Sequence, residues 1–370
     1  MKRLAFAIIT LFSPLASNLS LLSAQTEVSN FMPGVTQEGV NYFLPQTALR
    51  ITIVTEKTVT NPGDLNKYAF RYLRLNDVPT ASTTEWKIKS ISVEPYGVPD
   101  PEKAYNVKVK AKTSAPLVSL THDGILLSIN NEAKEETLPP LPQNIPAPAP
   151  LNPKKYMNQE MLSAGSTAKL AELCAQEIYD IRESRNALIK GEADNTPKDG
   201  EQLKLMLEQL DIQDRALTQL FGGSTETSTE IFSLNYLPTQ ETEKTILFRF
   251  SQFSGVVGAD DLSGHPVYIS IKNTETLPQP QETQSSADNK LKSVFASSTK
   301  KAKTEKGIYY NVPARETIRI FDVNQILLET TCAMGQFGYT EVLSDALFDK
   351  KLTTKVTFHQ ETGAIKKLEQ

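Results

Sequence analysis

Cysteine is almost missing from this chain: Cys174 and Cys332 are the only two among 370 residues. Small disulfide-framework scaffolds need far denser cysteine, so that class is excluded. An even count permits one bridge, but Cys174 falls in the apolar seam of a predicted helix, where a thiol packs as a small hydrophobe. The expectation is two free thiols. Tryptophan occurs once, and Trp86 starts an alternating strand where burial is the simpler account. That leaves little material for the exposed aromatic faces of a carbohydrate-binding module. A basic surplus is also lacking. The formal net charge is −4, so the surface repels a phosphate backbone and nucleic acid is excluded as a partner. Beyond the N-terminus no run of about 18 apolar residues occurs, so no transmembrane anchor helix is expected.

Signatures of catalysis are absent too. There is no G-x-S-x-G elbow, no GxxxxGK[ST] phosphate loop, no HExxH and no CxxC. The three histidines, His122, His265 and His359, lie in or beside predicted turns and far apart in sequence. Solvated surface groups are the ordinary account of such residues, although sites assemble in space rather than along the chain. Asp260 and Asp261 sit between glycines in 258–264, the best acidic loop, but its spacing does not match a calcium-binding EF-hand. Turn chemistry is the preferred reading there, because Asp in such loops bonds its own backbone. No catalytic residue, cofactor or metal ligand is assigned.

What is present begins with Met1–Ala24: a basic start, an apolar run over 4–15 and a small-residue tail ending at Ala24. This is the layout of a secretory signal peptide, with cleavage expected between Ala24 and Gln25. No cysteine follows the apolar run, so no lipid anchor is expected. The leader holds two basic residues and no acid, so the remaining 346 residues carry a net charge of −6.

Residues 25–137 read as an N-terminal β-rich domain. Leu49–Val54, Glu85–Val93 and Ala104–Ala111 show strand patterning, and 117–129 forms a hairpin signal around Gly124. One short helix is expected after Asn61–Asp64, with Leu65, Tyr68, Ala69, Tyr72 and Leu73 on one face and Phe70 off it. Pro95–Pro101 reads as a turn. A Pro-rich linker follows at 138–153, then an antiparallel helical hairpin over 154–224 with helix-period seams on both sides of Gly191–Thr196. Thr196 is the expected cap of the second helix and Pro197 its first residue. Residues 225–370 read as a C-terminal β-rich domain containing a polar mobile loop at 273–306. The fold class expected is α+β: two β-sandwich-like regions with the hairpin between them.

The β regions echo each other. Tyr42-Phe43-Leu44-Pro45 before Leu49-Arg50-Ile51 matches Tyr309–Pro313 before Ile318-Arg319-Ile320, and the glycine hairpins 118–126 and 356–365 match likewise. Two readings stay open: any strand–Pro–strand and any glycine hairpin look alike, or the chain holds two related modules.

In the hairpin, Arg182 and Arg185 interrupt apolar seams. Counting from a turn near 194–195, Arg185 is expected to pair with Glu201 or Glu208, and Arg182 with Glu208 or Asp211, fixing helix register.

The stretches Tyr42–Arg50, Glu177–Arg185 and Gly335-Gln336-Phe337-Gly338, with the helix start Lys198–Leu203, resemble a family of exported Bacteroidetes proteins known as a domain of unknown function. The resemblance covers nearly the whole mature chain. It implies a Gram-negative envelope, hence periplasm or cell surface, and brings no catalytic residues. The expected function is a soluble, non-enzymatic envelope protein that binds or scaffolds an envelope protein or glycan partner. The alternative is a hydrolase or carbohydrate-binding protein with a site assembled from scattered carboxylates.

Overall fold

Thirteen strands outweigh four α-helices among the described residues of the computed structural model, which are 27–30, 39–108, 118–194, 197, 199–274, 307–344 and 354–369. The leader with its cut between Ala24 and Gln25, Thr196, and all but two residues of 273–306 lie outside them. The fold is mixed and mostly sheet, with three antiparallel sheets.

Strands β1 (Glu27–Asn30), β2 (Val40–Asn61), β3 (Thr83–Lys108), β4 (Val118–Leu120) and β5 (Leu126–Ile129) come from the first third of the chain. Strands β6 (Ser224–Tyr236), β7 (Thr242–Ser251), β8 (Gly255–Val257), β9 (His265–Asn273), β10 (Gly307–Phe321), β11 (Ile326–Ser344), β12 (Lys355–Phe358) and β13 (Ile365–Glu369) follow the helices. The first sheet has the order β1-β3-β2-β6, the second β11-β10-β9-β7-β8, the third β13-β12-β5-β4. Pairing therefore crosses the expected boundaries at 137 and 225. β2 is zipped to β6 from Leu49–Tyr236 to Asn61–Ser224, and β5 pairs with β12. Alternation along a strand reports which face is buried but not which strand lies beside it, and this is why the sequence suggested two separate regions.

The first two sheets share one core. Leu49, Ile51, Ile53 and Ile91 face Phe248, Ile269, Ile271, Ile318, Ile320 and Met334, all buried. Trp86 is buried beside them, with Gly255 against its ring. A second cluster, with Tyr42, Leu44, Ile129, Val356 and Phe358, joins the third sheet to the roots of β2 and β10.

The modules repeat in detail. In β2–β3, Phe43 pairs with Ala104 and Pro45 with Pro99, so one residue stands against four. In β10–β11, Val312 pairs with Tyr339 and Ala314 with Met334, again one against four. The short hairpins match as well: Leu127 is the extra residue between β4 and β5, and Lys366 between β12 and β13. Gly124 (φ +85°) and Gly363 (φ +75°) turn the two hairpins in the left-handed region that glycine enters without steric cost. Each glycine carbonyl accepts an N–H from the bulged strand, Phe43 to Gly124 at 2.9 Å and Asn311 to Gly363 at 3.2 Å.

Helices α1 (Ala69–Leu73) and α2 (Gln159–Leu162) are short; α3 (Thr167–Lys190) and α4 (Gly200–Gly222) are long. As expected, Leu65, Ala69 and Leu73 are buried while Phe70 is 57% exposed. α3 is capped by Ser166 and closed by left-handed Gly191. Asp199, not Thr196, caps α4, with its carboxylate accepting from the Glu201 N–H. A carboxylate suits a helix N-terminus both as acceptor and as charge. Ile178, Ile181, Leu217 and Phe221 pack the helices together with α1. Cys174 lies in this cluster and Cys332 against the sheet core; both thiols are free.

The Pro-rich stretch is laid along the first sheet. Ile145 and Thr229 exchange backbone bonds of 3.0 and 2.8 Å, and the Ile231 N–H donates to Asn144 Oδ1. An edge strand is thus covered by a segment that cannot itself extend the sheet.

Candidate functional site

Both arginines pair with acids of α4, but not with the partners that counting gave them. Arg182 makes two 3.0 Å bonds to Asp214, and its Nη2 reaches Thr218 at 3.3 Å. Arg185 Nε lies 2.7 Å from Asp211 Oδ1, close enough for charge attraction without hydrogen-bond alignment. Both pairs centre on residue 198, three to four residues beyond the assumed turn, which moves each contact by about seven residues along α4. Glu201 and Glu208 reach neither arginine. These pairs tie α3 to α4.

A cleft of about 520 Å³ does open where the two modules meet. One wall is the Pro95–Pro99 segment of β3. The others are the β4–β5 turn at His122 and Asp123, the start of the Pro-rich stretch at 135–139, and the β12–β13 turn at Gln360 and Glu361. Pro95–Pro101, expected as a turn, is instead part of a strand. Among the described residues β1 covers β3 at 105–108 and no strand pairs with 95–99 on that side, so the prolines occupy an edge, where missing N–H groups cost no ladder bonds.

The backbone at this edge is oriented by a buried polar knot. Gln336 accepts the Thr47 N–H at 2.8 Å and donates to the Thr47 carbonyl at 2.9 Å. Thr47 Oγ1 donates to the Glu361 carbonyl and accepts the Gly335 N–H. Asn311 Nδ2 donates to the carbonyls of Pro45 and Thr362. Since both backbone groups of Thr47 are spent on Gln336, Thr47 and its partner Gly97 exchange no ladder bonds. Gly97 therefore turns its N–H and carbonyl toward the open side of β3. A Cβ at Gly97 would stand 2.2 Å from the Gln360 carbonyl, so the cleft wall requires glycine there.

The side chains are charged. His122 is 74% exposed, with Nδ1 2.8 Å from Glu135 Oε1 and Nε2 3.2 Å from Asp123 Oδ1. Its backbone N–H also donates to Glu135 Oε2 at 3.1 Å. The bond to Glu135, then the Asp123 charge, raise the imidazole pKa. The same backbone and ring bonds hold the Glu135 carboxyl below the usual carboxylate range. Lys366, 2.8 Å from Glu136, lowers that carboxyl as well. His359 Nδ1 lies 3.3 Å from Glu361. His265 sits apart, in a second cleft beside Trp86. In the 258–264 loop the Asp261 carboxylate accepts the Ser263 N–H, and among the described residues no cluster of three or more metal-ligating side chains forms.

Sequence reasoning named His122 and His359 only as turn residues and missed Asp123, Glu135, Glu136 and Glu361. The usable signal was the echo itself: Thr-His-Asp-Gly and His-Gln-Glu-Thr-Gly are matching turns, each with an imidazole and a carboxylate.

The stretches Tyr42–Arg50 and Gly335–Gly338, apart in sequence, meet in the polar knot that shapes this cleft. Comparison with curated proteins and with solved structures finds no match to either. A family model described as Domain of unknown function (DUF4831) matches residues 38–366, spanning both modules and the helices, and the chain belongs to that family.

Proposed function

We propose that this chain is an exported, soluble envelope protein, released after Ala24 into the periplasm or to the cell surface of a Bacteroidetes bacterium. There it binds an extended partner in the cleft between its modules without transforming it. On this reading the facing first and second sheets are the two halves of a sandwich-like body, and α3–α4 is a hairpin arm beside it.

The protonation state of the cleft carboxyls carries the choice of binding over hydrolysis. The glycosidase mechanism that scattered carboxylates would support needs one carboxyl held protonated near neutral pH. Glu135 and Glu136 are pushed the other way by His122 and Lys366. The acid that is raised, Glu316, to about 7, owes this to burial and then to the Glu241 charge, and it is sealed in the sheet core away from the cleft. The Thr121 hydroxyl, beside His122, is occupied by the Ile125 N–H.

Incubating the purified protein with glycan and peptide panels tests this. Binding without product is the expected result, weakened in a Tyr96→Ala variant. Turnover lost on His122→Ala or Glu135→Gln would establish the hydrolase instead. Mass spectrometry of fractionated cells should find an N-terminus at Gln25.

A further inference from the structure

Resting on the cleft as the binding site, we infer that its ligand is an extended peptide segment bearing lysine or arginine beside apolar residues. Three features converge. The first is the edge of β3 at 95–99, which no described strand covers. Gly97 presents a donor and an acceptor there, while the prolines at 95 and 99, in the same alternation, offer carbonyls alone. A strand added at this edge gains backbone bonds whatever its sequence, the mode of recognition by β-augmentation. Its pairing is confined to a short stretch, because the prolines remove the neighbouring donors.

The second feature is charge. Asp123, Glu135, Glu136 and Glu361 line the cleft, where His122 pairs with the first two, Lys366 with Glu136 and His359 with Glu361. The surplus is negative, and a cationic side chain lying between the turns meets carboxylates on two sides. Exposed charges of this kind steer and select more than they bind, and salt screens them. The third feature is the apolar remainder. Tyr96, Val98, Ile125 and Leu138 line the same cleft, giving an alternating neighbour somewhere to bury. A neutral sugar would use the tyrosine but leave the carboxylate surplus and the strand edge unused.

The test is an array of immobilised random octapeptides, with maltohexaose and chitohexaose as the saccharide arm, probed with the full chain. Bound peptides should be enriched in lysine and arginine flanked by apolar residues. For the best peptide, replacing its basic residues by norleucine should weaken binding at least tenfold. Glu135→Gln/Glu136→Gln should do the same with thermal stability unchanged, and so should raising salt. N-methylation of alternate peptide amides should abolish binding in one phase of the alternation only, a readout that charge alone would not produce. Oligosaccharide binding weakened by Tyr96→Ala, without enrichment of basic peptides, would overturn the peptide assignment and leave the cleft reading standing. No binding by any probe would sink both. Basic peptides bound equally well by the double Gln variant would place their site elsewhere and overturn the inference.

Discussion

The two modules solve the same geometric problem with opposite chemistry. Each must clasp a glycine turn onto a bulged strand. In the first module the strand residue is Phe43, whose ring edge lies beside Gly124, and the turn above it leaves His122 and Asp123 in solvent. In the second, the strand residue is Asn311, fully buried, whose amide ties Pro45 to Thr362. Buried polar networks rigidify when every member is satisfied, whereas an apolar contact beneath an exposed turn leaves the turn's polar groups available. The two turns thus differ in setting: the second is tied into a buried network that joins Pro45 to Thr362, while His122 and Asp123 of the first stand in solvent.

A related contrast concerns the strands. Three residues before Arg50 in β2 stands Thr47, and three before Arg319 in β10 stands Glu316. Thr47 has both backbone groups and its hydroxyl hydrogen-bonded in the knot. Glu316 is fully buried, and neither of its carboxylate oxygens has a hydrogen-bond partner.

Substitutions that exchange these characters should show unequal effects. Asn311→Leu leaves two carbonyls buried and unpaired, and is expected to cost about 3 kcal/mol in urea denaturation. A loss below about 1 kcal/mol would mean that the clasp is not what joins the modules. Gly363→Ala forces a side chain into left-handed backbone with its Cβ 2.7 Å from Pro45 Cδ. It should cost about 2 to 3 kcal/mol, against roughly 1 for Gly124→Ala, whose Cβ meets the Phe43 ring at 3.1 Å. Equal losses would erase the distinction between the turns.

Glu316→Gln runs in the opposite direction. With its folded-state pKa raised to about 7, wild-type stability is fully present below the ordinary carboxyl range and falls as pH rises toward 7. The variant should therefore be more stable than wild type by about 2 kcal/mol at pH 8 and indistinguishable from it near pH 4. A pH-independent difference would show that the carboxylate finds a partner. Arg182→Ala breaks a half-exposed bidentate pair and should cost about 1 kcal/mol. Smallest of all, His122→Gln should leave the denaturation midpoint unmoved while changing ligand binding. A clear loss of stability would make the first turn structural like the second.

Local chemistry was legible in the sequence. Apolar periodicity found α3 and α4, the strand alternations found the core faces of β2, β9 and β10, and Phe70 was placed outside its helix face. The glycine hairpins and their echo were visible because left-handed turns leave a residue signature. What stayed hidden depended on partners distant along the chain. Nothing in Ser224–Tyr236 marks it as the neighbour of β2, and nothing in 355–358 points to β5. The cleft was hidden for the same reason, since its carboxylates come from three separate segments. The register error in the helical pair is of the same kind: the helix ends centre on residue 195, close to the assumed turn, yet the side chains meet about 198, a stagger set by packing between the helices.

The pairing of Val356 with Ile129 has a kinetic consequence. More than two hundred residues separate the partners, so closing this sheet pays a large loop entropy before any contact rewards it. Such topologies fold slowly. A chain made from its N-terminus cannot complete this sheet until Lys355–Phe358 has emerged, and until then β5 waits as an open edge. Deleting residues 355–358 would therefore disrupt the junction between modules at β5, far along the chain from the cut.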